Sequence, residues 1–310
     1  ETYIAKETNV SVHTVRRIID DTARLLTIKP LHDLPEHLCF DEFKSVKSSD
    51  SNMSFIICDS TTHKLVDVVR DRKSYSLKNY FHRFEPKTRL KVKTISIDMY
   101  LPYIQLIKEM FPNAKIIIDP FHIVQALNRE LNRTRVRVMN QHRYKDAKLY
   151  RKLKHYWKLI LKNPNELQNY KYSRYKLFES FITSKGIVDY ILENNPSLKN
   201  DYEVVHSLRE CIQDRDYIEF KETIEAATQL DLSPGLKRVL KTLITYLPYI
   251  QNTCEHPTRT NGPIEGINNK IKVLKRNAYG FRNYYHFRNR IILITKMFGP
   301  KQKGIKQQLV

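Results

Sequence analysis

The sequence is poor in cysteine, lacks long apolar runs and has far fewer acidic than basic residues. Its four cysteines form no Cys-x-x-Cys pair and have no histidine set at zinc-ligand spacing; they are Cys39, Cys58, Cys211 and Cys254. No apolar stretch approaches the roughly 20 residues that span a membrane, and no signal peptide opens the chain. We therefore expect a reduced, cytoplasmic protein without a membrane partner.

Because basic residues outnumber acidic ones, the chain carries a large positive charge. Lys and Arg total 54 against 33 Asp and Glu, which gives a net charge of +21. The excess is concentrated in residues 126–176, where 15 basic residues face three acidic ones. Such a field attracts phosphate backbones and predicts nucleic-acid binding. For any single Lys or Arg, a solvated surface position is the alternative.

Residues 2–26 have the pattern of a helix-turn-helix, within an N-terminal segment that we assign to residues 1–29. A short helix is followed by the turn 8–11, with Ser11 as N-cap of a second helix that carries Arg16 and Arg17. In a helix-turn-helix the second helix reads the major groove. An ordinary two-helix hairpin is the alternative, and Pro30 and Pro35 mark a linker.

The next residues alternate between strand and helix patterns. Apolar runs predict strands at 38–41, 53–58, 64–69, 92–97 and 115–118, with helices at 74–84 and 101–111. This β-β-β-α-β-α-β order favours an α/β fold with a mixed sheet. From 121 to 249 only helical periodicity is present, and we expect Pro196, Pro234 and Pro248 to separate the helices.

Three acidic residues stand out by their context. We expect Asp41 and Asp98 to close the first and fourth strands, and Glu265 to lie in the first turn of a final helix that starts near Pro263. A carboxylate at the end of a buried strand is costly unless it is paired, capped or metal-bound. Oxygen clusters suit Mg²⁺. Each residue also has a plainer alternative. An Asp at a strand end can be a turn former, Asp98 can be the N-cap of the next helix, and Glu265 can be favoured by the helix dipole. The pattern alone does not bring Glu265 to the aspartates.

Five stretches together resemble the ISL-three family of bacterial insertion-sequence transposases, a DDE group. They are FDEF at 40–43, IDMY at 97–100, DPFHIV at 119–124, TNGPIEGINNKIK at 260–272 and KRNAYGF at 275–281. The resemblance implies a ribonuclease-H-like catalytic core at 36–122 and 256–298. It also implies that a helical insertion at 123–255 interrupts this core.

The resemblance further implies the roles of individual residues. Asp41, Asp98 and Glu265 match the catalytic triad and would hold Mg²⁺ or Mn²⁺ as two ions. His122 matches an auxiliary catalytic residue, with a first-turn helix residue as the alternative, and Asp119 rivals Asp98 for the metal. The expected activity is cleavage of double-stranded DNA at transposon ends and strand transfer, by a nucleoid-associated homodimer.

The expected DNA contacts fall into three groups. They are Arg16 and Arg17; then Arg129, Arg133 and Arg137, with Arg135 nearby; then Lys270, Lys272, Lys275 and Arg276. Contacts of these side chains with DNA phosphates would position the DNA without reading its sequence. Trp157 fits a helical core, with stacking on an unpaired base as the alternative.

The ISL-three family carries a cysteine-rich zinc-binding segment ahead of its helix-turn-helix, and this sequence does not. Because the chain starts mid-pattern at Glu1, we expect an N-terminally incomplete copy. Two other functions stay open: a nuclease or integrase with the same triad, and an inactive DNA-binding derivative.

Overall fold

The computed structural model describes residues 1–27, 33–46 and 52–297. The chain forms two compact units. The sheet unit comprises Glu1–Ile117 and Arg259–Val310, and the helical unit comprises Ile118–Thr258. Pro30, expected to mark a linker, lies outside the described residues.

A five-stranded mixed sheet forms the centre of the sheet unit, which confirms the predicted α/β class. Its strands are β1 (His37–Lys44), β2 (Met53–Asp59), β3 (Leu65–Val69), β4 (Thr94–Ile97) and β5 (Lys115–Ile118). Their order across the sheet is β3-β2-β1-β4-β5. β1 pairs with β2 in antiparallel fashion and with β4 in parallel, while β2 pairs with β3 in antiparallel fashion.

Both faces of β1 are covered, which explains why its first half reads as a continuous apolar run. On one face, Phe40 packs against Phe81 and Phe111, with ring centroids 5.5 and 6.2 Å apart. On the other face, Cys39 belongs to an apolar cluster with Ile56 and Phe287. The strand is therefore fixed between two layers of helices.

Seven helices of the described chain belong to the sheet unit. They are α1 (Thr2–Glu7), α2 (Val12–Thr27), α3 (Ser74–Phe81), α4 (Pro86–Leu90), α5 (Leu101–Met110), α13 (Gly262–Asn277) and α14 (Tyr284–Lys296). Ser11 caps α2 as predicted, because its Oγ accepts the backbone N–H of Thr14 at 3.0 Å. Asn289 of α14 donates to Asp20 of α2 at 2.8 Å.

The helical unit contains the remaining helices of the described chain. They are α6 (Pro120–Gln141), α7 (Ala147–His155), α8 (Trp157–Leu161), α9 (Ser184–Glu193), α10 (Pro196–Asp214), α11 (Tyr217–Ala227) and α12 (Pro234–Glu255), with a 3₁₀ turn at Pro164–Glu166. No helix in the described ranges is long and apolar enough to cross a bilayer.

Prolines divide this unit less completely than the sequence predicted. Pro196 and Pro234 begin helices, where a missing backbone N–H costs nothing. The expectation that Pro248 ends a helix was wrong, because α12 continues through it. Tyr246 and Ile250 are buried on either side of Pro248, and this packing offsets the lost hydrogen bond.

Candidate active site

Asp41 lies in β1, and Asp98 directly follows the neighbouring parallel strand β4. The parallel register of β1 and β4 pairs Leu38 with Ile95 and Cys39 with Ser96. The paired residues end there, and Asp41 and Asp98 each lie two residues beyond the last pair. Parallel neighbours lie about 4.8 Å apart and point their side chains to the same face. The two aspartates therefore lie near the same end of the paired strands β1 and β4.

The prediction that Asp41 closes its strand was wrong. β1 continues for three more residues, because its antiparallel pairing with β2 extends to the Lys44–Met53 pair. β4 instead ends at Ile97, directly before Asp98 as predicted. The backbone N–H of Glu42 donates to Oδ1 of Asp41 at 2.7 Å.

Helix α13 lies along β1 and is attached to it by side chains seven residues apart. The amide of Asn261 donates to the carbonyl of Phe40 at 3.2 Å, and that of Asn268 donates to Oδ2 of Asp41 at 2.8 Å. The ammonium of Lys275 donates to the carbonyl of Lys44 at 3.0 Å. Seven residues make two helical turns, so these three side chains form one stripe along the helix.

The apolar residues of α13 fix its rotation about its axis. Ile264, Ile267 and Ile271 are buried in the same cluster as Cys39 and Phe43 of β1. They recur at the three- and four-residue spacing of a single helix face. The polar stripe borders this apolar face. Burial of the apolar face therefore turns Asn261, Asn268 and Lys275 towards β1.

Glu265 lies on the part of α13 that bears this stripe. It follows Asn261 by four residues and precedes Asn268 by three, and such residues are neighbours on a helix surface. Its side chain is exposed in the first turn of the helix. In the described chain, Glu265, Asp41 and Asp98 do not form a set whose ligand atoms all lie within 4.8 Å of one another.

The donor set around the aspartates fits a hard cation. The amide of Asn261 also donates to Oδ1 of Asp98 at 3.3 Å, so each aspartate has an asparagine beside it. Both asparagine carbonyl oxygens are buried and have no hydrogen-bond partner among the described residues. Carboxylate and amide oxygens are the ligands that Mg²⁺ accepts in proteins. Sequence reasoning did not assign these asparagines, although their seven-residue spacing with Lys275 was a usable signal.

Glu42, adjacent to Asp41 in sequence, is neutralised by its own partners. Arg72 forms an ion pair with it at 2.6 Å, and the hydroxyl of Tyr103 donates to it at 3.1 Å. The hydrogen bond that Arg72 itself donates to Glu42 raises the pKa of Arg72. Burial, followed by the charge of Glu42, raises the pKa of Tyr103. Glu42 is therefore held in a local ion pair.

A basic cleft of about 690 Å³ begins at Asn268. Lys272, Lys275 and Arg276 line it, together with Lys44. Burial, followed by the charge of Lys44, lowers the pKa of the Lys275 ammonium. The fourth basic residue predicted here, Lys270, is exposed but does not line the cleft.

The other predicted DNA-contact residues differ in their surroundings. Arg16 forms an ion pair with Glu1 at 3.2 Å, whereas Arg17 is exposed. In the helical unit three exposed arginines of α6 lie four residues apart, which places them on one face; they are Arg129, Arg133 and Arg137. Arg129 hydrogen-bonds to Gln125 and Arg133 pairs with Glu130.

Arg135 belongs to the interior of the helical unit. It is buried, and its guanidinium donates to the carbonyl of Leu153 at 2.9 Å. Burial lowers its pKa. Arg135 therefore does not share the exposed face of its three neighbours in the sequence.

Asp119 and His122 lie in the helical unit, at the start of α6. Asp119 is buried and occupies the N-cap position, with its Oδ2 3.8 Å from Nε2 of His122. The imidazole is partly exposed. The two residues thus place a carboxylate and an imidazole close together at the start of α6.

The expectation that Trp157 belongs to a helical core was wrong. Its side chain is 40% exposed at the start of α8, while Tyr156 and Ile160 take the buried positions. α8 has only five residues, so it has room for few inward-facing side chains.

Comparisons with known proteins identify a family. A family model described as a transposase, of the DDE class and ISL3 type, matches residues 38–291. The "Transposase for insertion sequence element IS1001" of Bordetella parapertussis is 27% identical over 92% of this chain and 67% of its own length.

A second relative matches over a shorter stretch. The protein named "ATP-dependent protease" from Lactococcus lactis subsp. lactis is 38% identical over 112 residues, which are 36% of this chain and 35% of that protein. No solved structure is significantly similar to the chain. Because the family match covers the strands, both strand aspartates and the α13 motif, the chain belongs to the ISL-three (ISL3) family of DDE transposases.

Proposed function

We propose that this chain cleaves DNA at transposon ends and transfers the cleaved strand to a target by metal-dependent phosphoryl transfer. The observation that supports the proposal most strongly is that Asp41 and Asp98 each lie two residues beyond the last β1–β4 pair, with Asn268 of α13 bonded to Asp41 and Asn261 bonded to Asp98. The same helix carries Glu265 one turn before Asn268.

In this proposal Asp41, Asp98 and Glu265 hold the divalent cations, Mg²⁺ or Mn²⁺, as two ions. Bound at carboxylates, such cations neutralise the charge that develops on phosphate oxygens during in-line displacement. The protein contributes rigid placement: Asp41 and Asp98 are carried by a buried sheet, and α13 is held to it by apolar and polar contacts. Positioning and charge neutralisation are the main sources of acceleration in phosphoryl transfer.

The proposed reaction has two displacements of the same type. Water attacks the phosphodiester that joins the transposon end to the flanking DNA, and the P–O3′ bond breaks, which frees a 3′-hydroxyl on the transposon end and leaves a 5′-phosphate on the flanking DNA. That hydroxyl then attacks a target phosphodiester, and the new P–O bond replaces the old one. Neither step requires a covalent intermediate with the protein.

The basic residues in the cleft provide a place for DNA phosphates. Lys272, Lys275 and Arg276 line the cleft that begins at Asn268, next to Asp41. Charges there would hold the backbone without reading sequence. Further proposed contacts are Arg17 and Arg16 in α2, Lys270 in α13, and the exposed face of α6 with Arg129, Arg133 and Arg137.

Several finer points belong to the same proposal. We propose a ribonuclease-H-like core at 36–122 and 256–298, with the helical insertion at 123–255. The helix pair within residues 1–29 is proposed to contact DNA, and the protein to act as a homodimer in the bacterial cytoplasm, near the nucleoid. His122 is proposed as an auxiliary catalytic residue, and Asp119 stays an alternative to Asp98 for the metal.

The test uses the full chain with labelled duplexes from the ends of its own insertion element, in Mg²⁺. We expect nicked end DNA and joined product with the wild type. The variants Asp41→Asn, Asp98→Asn and Glu265→Gln should bind the duplex but neither cut nor join it. Glu225→Gln, an exposed position on α11, is the matched control and should react normally.

The outcomes separate the proposal from its alternatives. Normal cleavage by any one of the three acidic-site variants would remove that residue from the metal site. Cleavage without joining would indicate a nuclease. Binding without either reaction in the wild type would favour an inactive DNA-binding derivative.

A further inference from the structure

Two side-chain amides of α13 contact the proposed metal ligands directly. The nitrogen of Asn268 donates to Asp41 at 2.8 Å, and the nitrogen of Asn261 donates to Asp98 at 3.3 Å. Asn268 thus donates to Asp41, and Asn261 donates to Asp98.

The orientation of each amide follows from the chemistry of its neighbours. A carboxylate and a backbone carbonyl only accept hydrogen bonds, so the end of the amide that faces them must be the nitrogen. The carbonyl oxygen of each side chain then points elsewhere. In both residues this oxygen is buried and has no partner within the described part of the chain, and a buried polar atom of this kind is a candidate to bind a ligand or water.

Asn268 is the one of the two that borders an open space. It lines the basic cleft, whereas Asn261 is 2% exposed and does not line it. Asn261 also donates to the carbonyl of Phe40, which makes it an anchor for the start of α13. Asn268 is therefore the amide that lies both beside the cleft and against Asp41.

We propose that Asn268 is a further ligand of the metal site: its amide nitrogen holds Asp41, and its carbonyl oxygen coordinates the cation held there. This inference rests on the proposed function, because it needs a cation at Asp41 and Asp98. Amide oxygen is an accepted ligand of hard cations and, unlike another carboxylate, adds no repulsion between neighbouring charges. The same group thus orients one ligand and supplies another.

The test is a Mn²⁺ titration of the full chain without DNA, read from the electron paramagnetic resonance signal of unbound Mn²⁺. Asn268→Ala removes both amide functions and should weaken Mn²⁺ binding about tenfold. Asn268→Asp keeps an oxygen at the same position but loses the N–H that Asp41 accepts, so it should bind Mn²⁺ more tightly than Asn268→Ala. Asn269→Ala changes the adjacent exposed asparagine and should have no effect.

Thermal unfolding of each variant, followed by circular dichroism, establishes that it is folded. Should Asn268→Ala fail to fold, Asn268→Ser replaces it, with the same tenfold weakening expected. Wild-type Mn²⁺ affinity in the folded Ala or Ser variant would overturn the inference. Equal weakening by Asn268→Asp and Asn268→Ala would also overturn it, because the oxygen would then have no role.

Asp98→Asn in the same titration separates this inference from the proposed function. If Asp98→Asn abolishes Mn²⁺ binding while Asn268→Ala leaves it intact, only the role of Asn268 fails. If the wild type binds no Mn²⁺, or Asp98→Asn changes nothing, the metal site at Asp98 fails and the role of Asn268 fails with it.

Discussion

The amide nitrogen of Asn261 lies 3.3 Å from Oδ1 of Asp98, although 163 residues separate the two in the sequence. The same nitrogen is 3.2 Å from the carbonyl oxygen of Phe40 on the neighbouring strand. Asn261 precedes α13, so this pair of bonds fixes where the helix begins beside β1 and β4.

Replacement of Asn261 should therefore destabilise the sheet unit. In Asn261→Ala the buried carbonyl of Phe40 loses its side-chain donor, and Asp98 loses a hydrogen bond. We expect a decrease of about 1–3 kcal/mol in the free energy of unfolding, measured by urea denaturation. Asn269→Ala, at an exposed position of the same helix, should change it by less than about 0.5 kcal/mol. Equal stability of the two variants would contradict the anchoring role.

The position of basic residues around α13 predicts unequal contributions to DNA binding. Lys272 lines the cleft beside Asn268, whereas Lys270 does not. Lys272→Ala should weaken binding of duplex DNA and lower the slope of log K against log salt by about 0.9, the value for one phosphate contact. Lys270→Ala should have the smaller effect in the same fluorescence-anisotropy titration. A larger effect at Lys270 would remove the cleft from the DNA path.

Two arginines on α6, two residues apart, should respond in opposite ways. Arg135 is buried and bonded to the Leu153 carbonyl, so Arg135→Ala should lower the free energy of unfolding by about 1–3 kcal/mol. Arg137 is exposed, so Arg137→Ala should leave stability unchanged and weaken DNA binding. Urea denaturation and anisotropy on both variants test the contrast. Loss of stability in Arg137→Ala alone would refute it.

His206 in α10 should make stability depend on pH. Burial lowers its pKa to about 4; its Nε2 donates to the Ile160 carbonyl, and its Nδ1 lies 3.1 Å from Arg209. The unfolded imidazole has a pKa near 6.5. As pH falls from about 6.5 to 4, the unfolded chain takes up a proton that the folded chain does not, so stability decreases by up to about 3 kcal/mol.

Urea denaturation between pH 7.5 and 4.5 measures this effect. His206→Gln should lose stability at neutral pH, since it changes a buried hydrogen-bonded group, but its stability should fall less steeply with acid. An identical slope in the wild type and the variant would show that other groups account for the acid sensitivity.

The sequence predicted those features that depend on neighbours along the chain. Apolar runs marked all five strands, and the position of Asp98 directly after β4 followed from one such run. Ser11 and Glu265 were assigned correctly to the starts of their helices because capping and first-turn preferences are local.

Features that depend on distant contacts were missed. β1 runs beyond Asp41 because β2 pairs with it and Arg72 neutralises Glu42, neither of which the local pattern reveals. The parts played by Asn261 and Asn268 require contacts with residues more than 160 positions away. The exposure of Trp157 likewise reflects which neighbours fill the core, not the periodicity of its own helix.

Diffraction from crystals of the full chain soaked in Mn²⁺, recorded at the manganese absorption edge, tests the central claim most directly. The account predicts anomalous peaks within coordination distance of Asp41 and Asp98, with the Glu265 carboxylate completing the site. Peaks that engage Asp119 in place of Asp98, or that leave Glu265 uncoordinated in the presence of bound DNA, would contradict it.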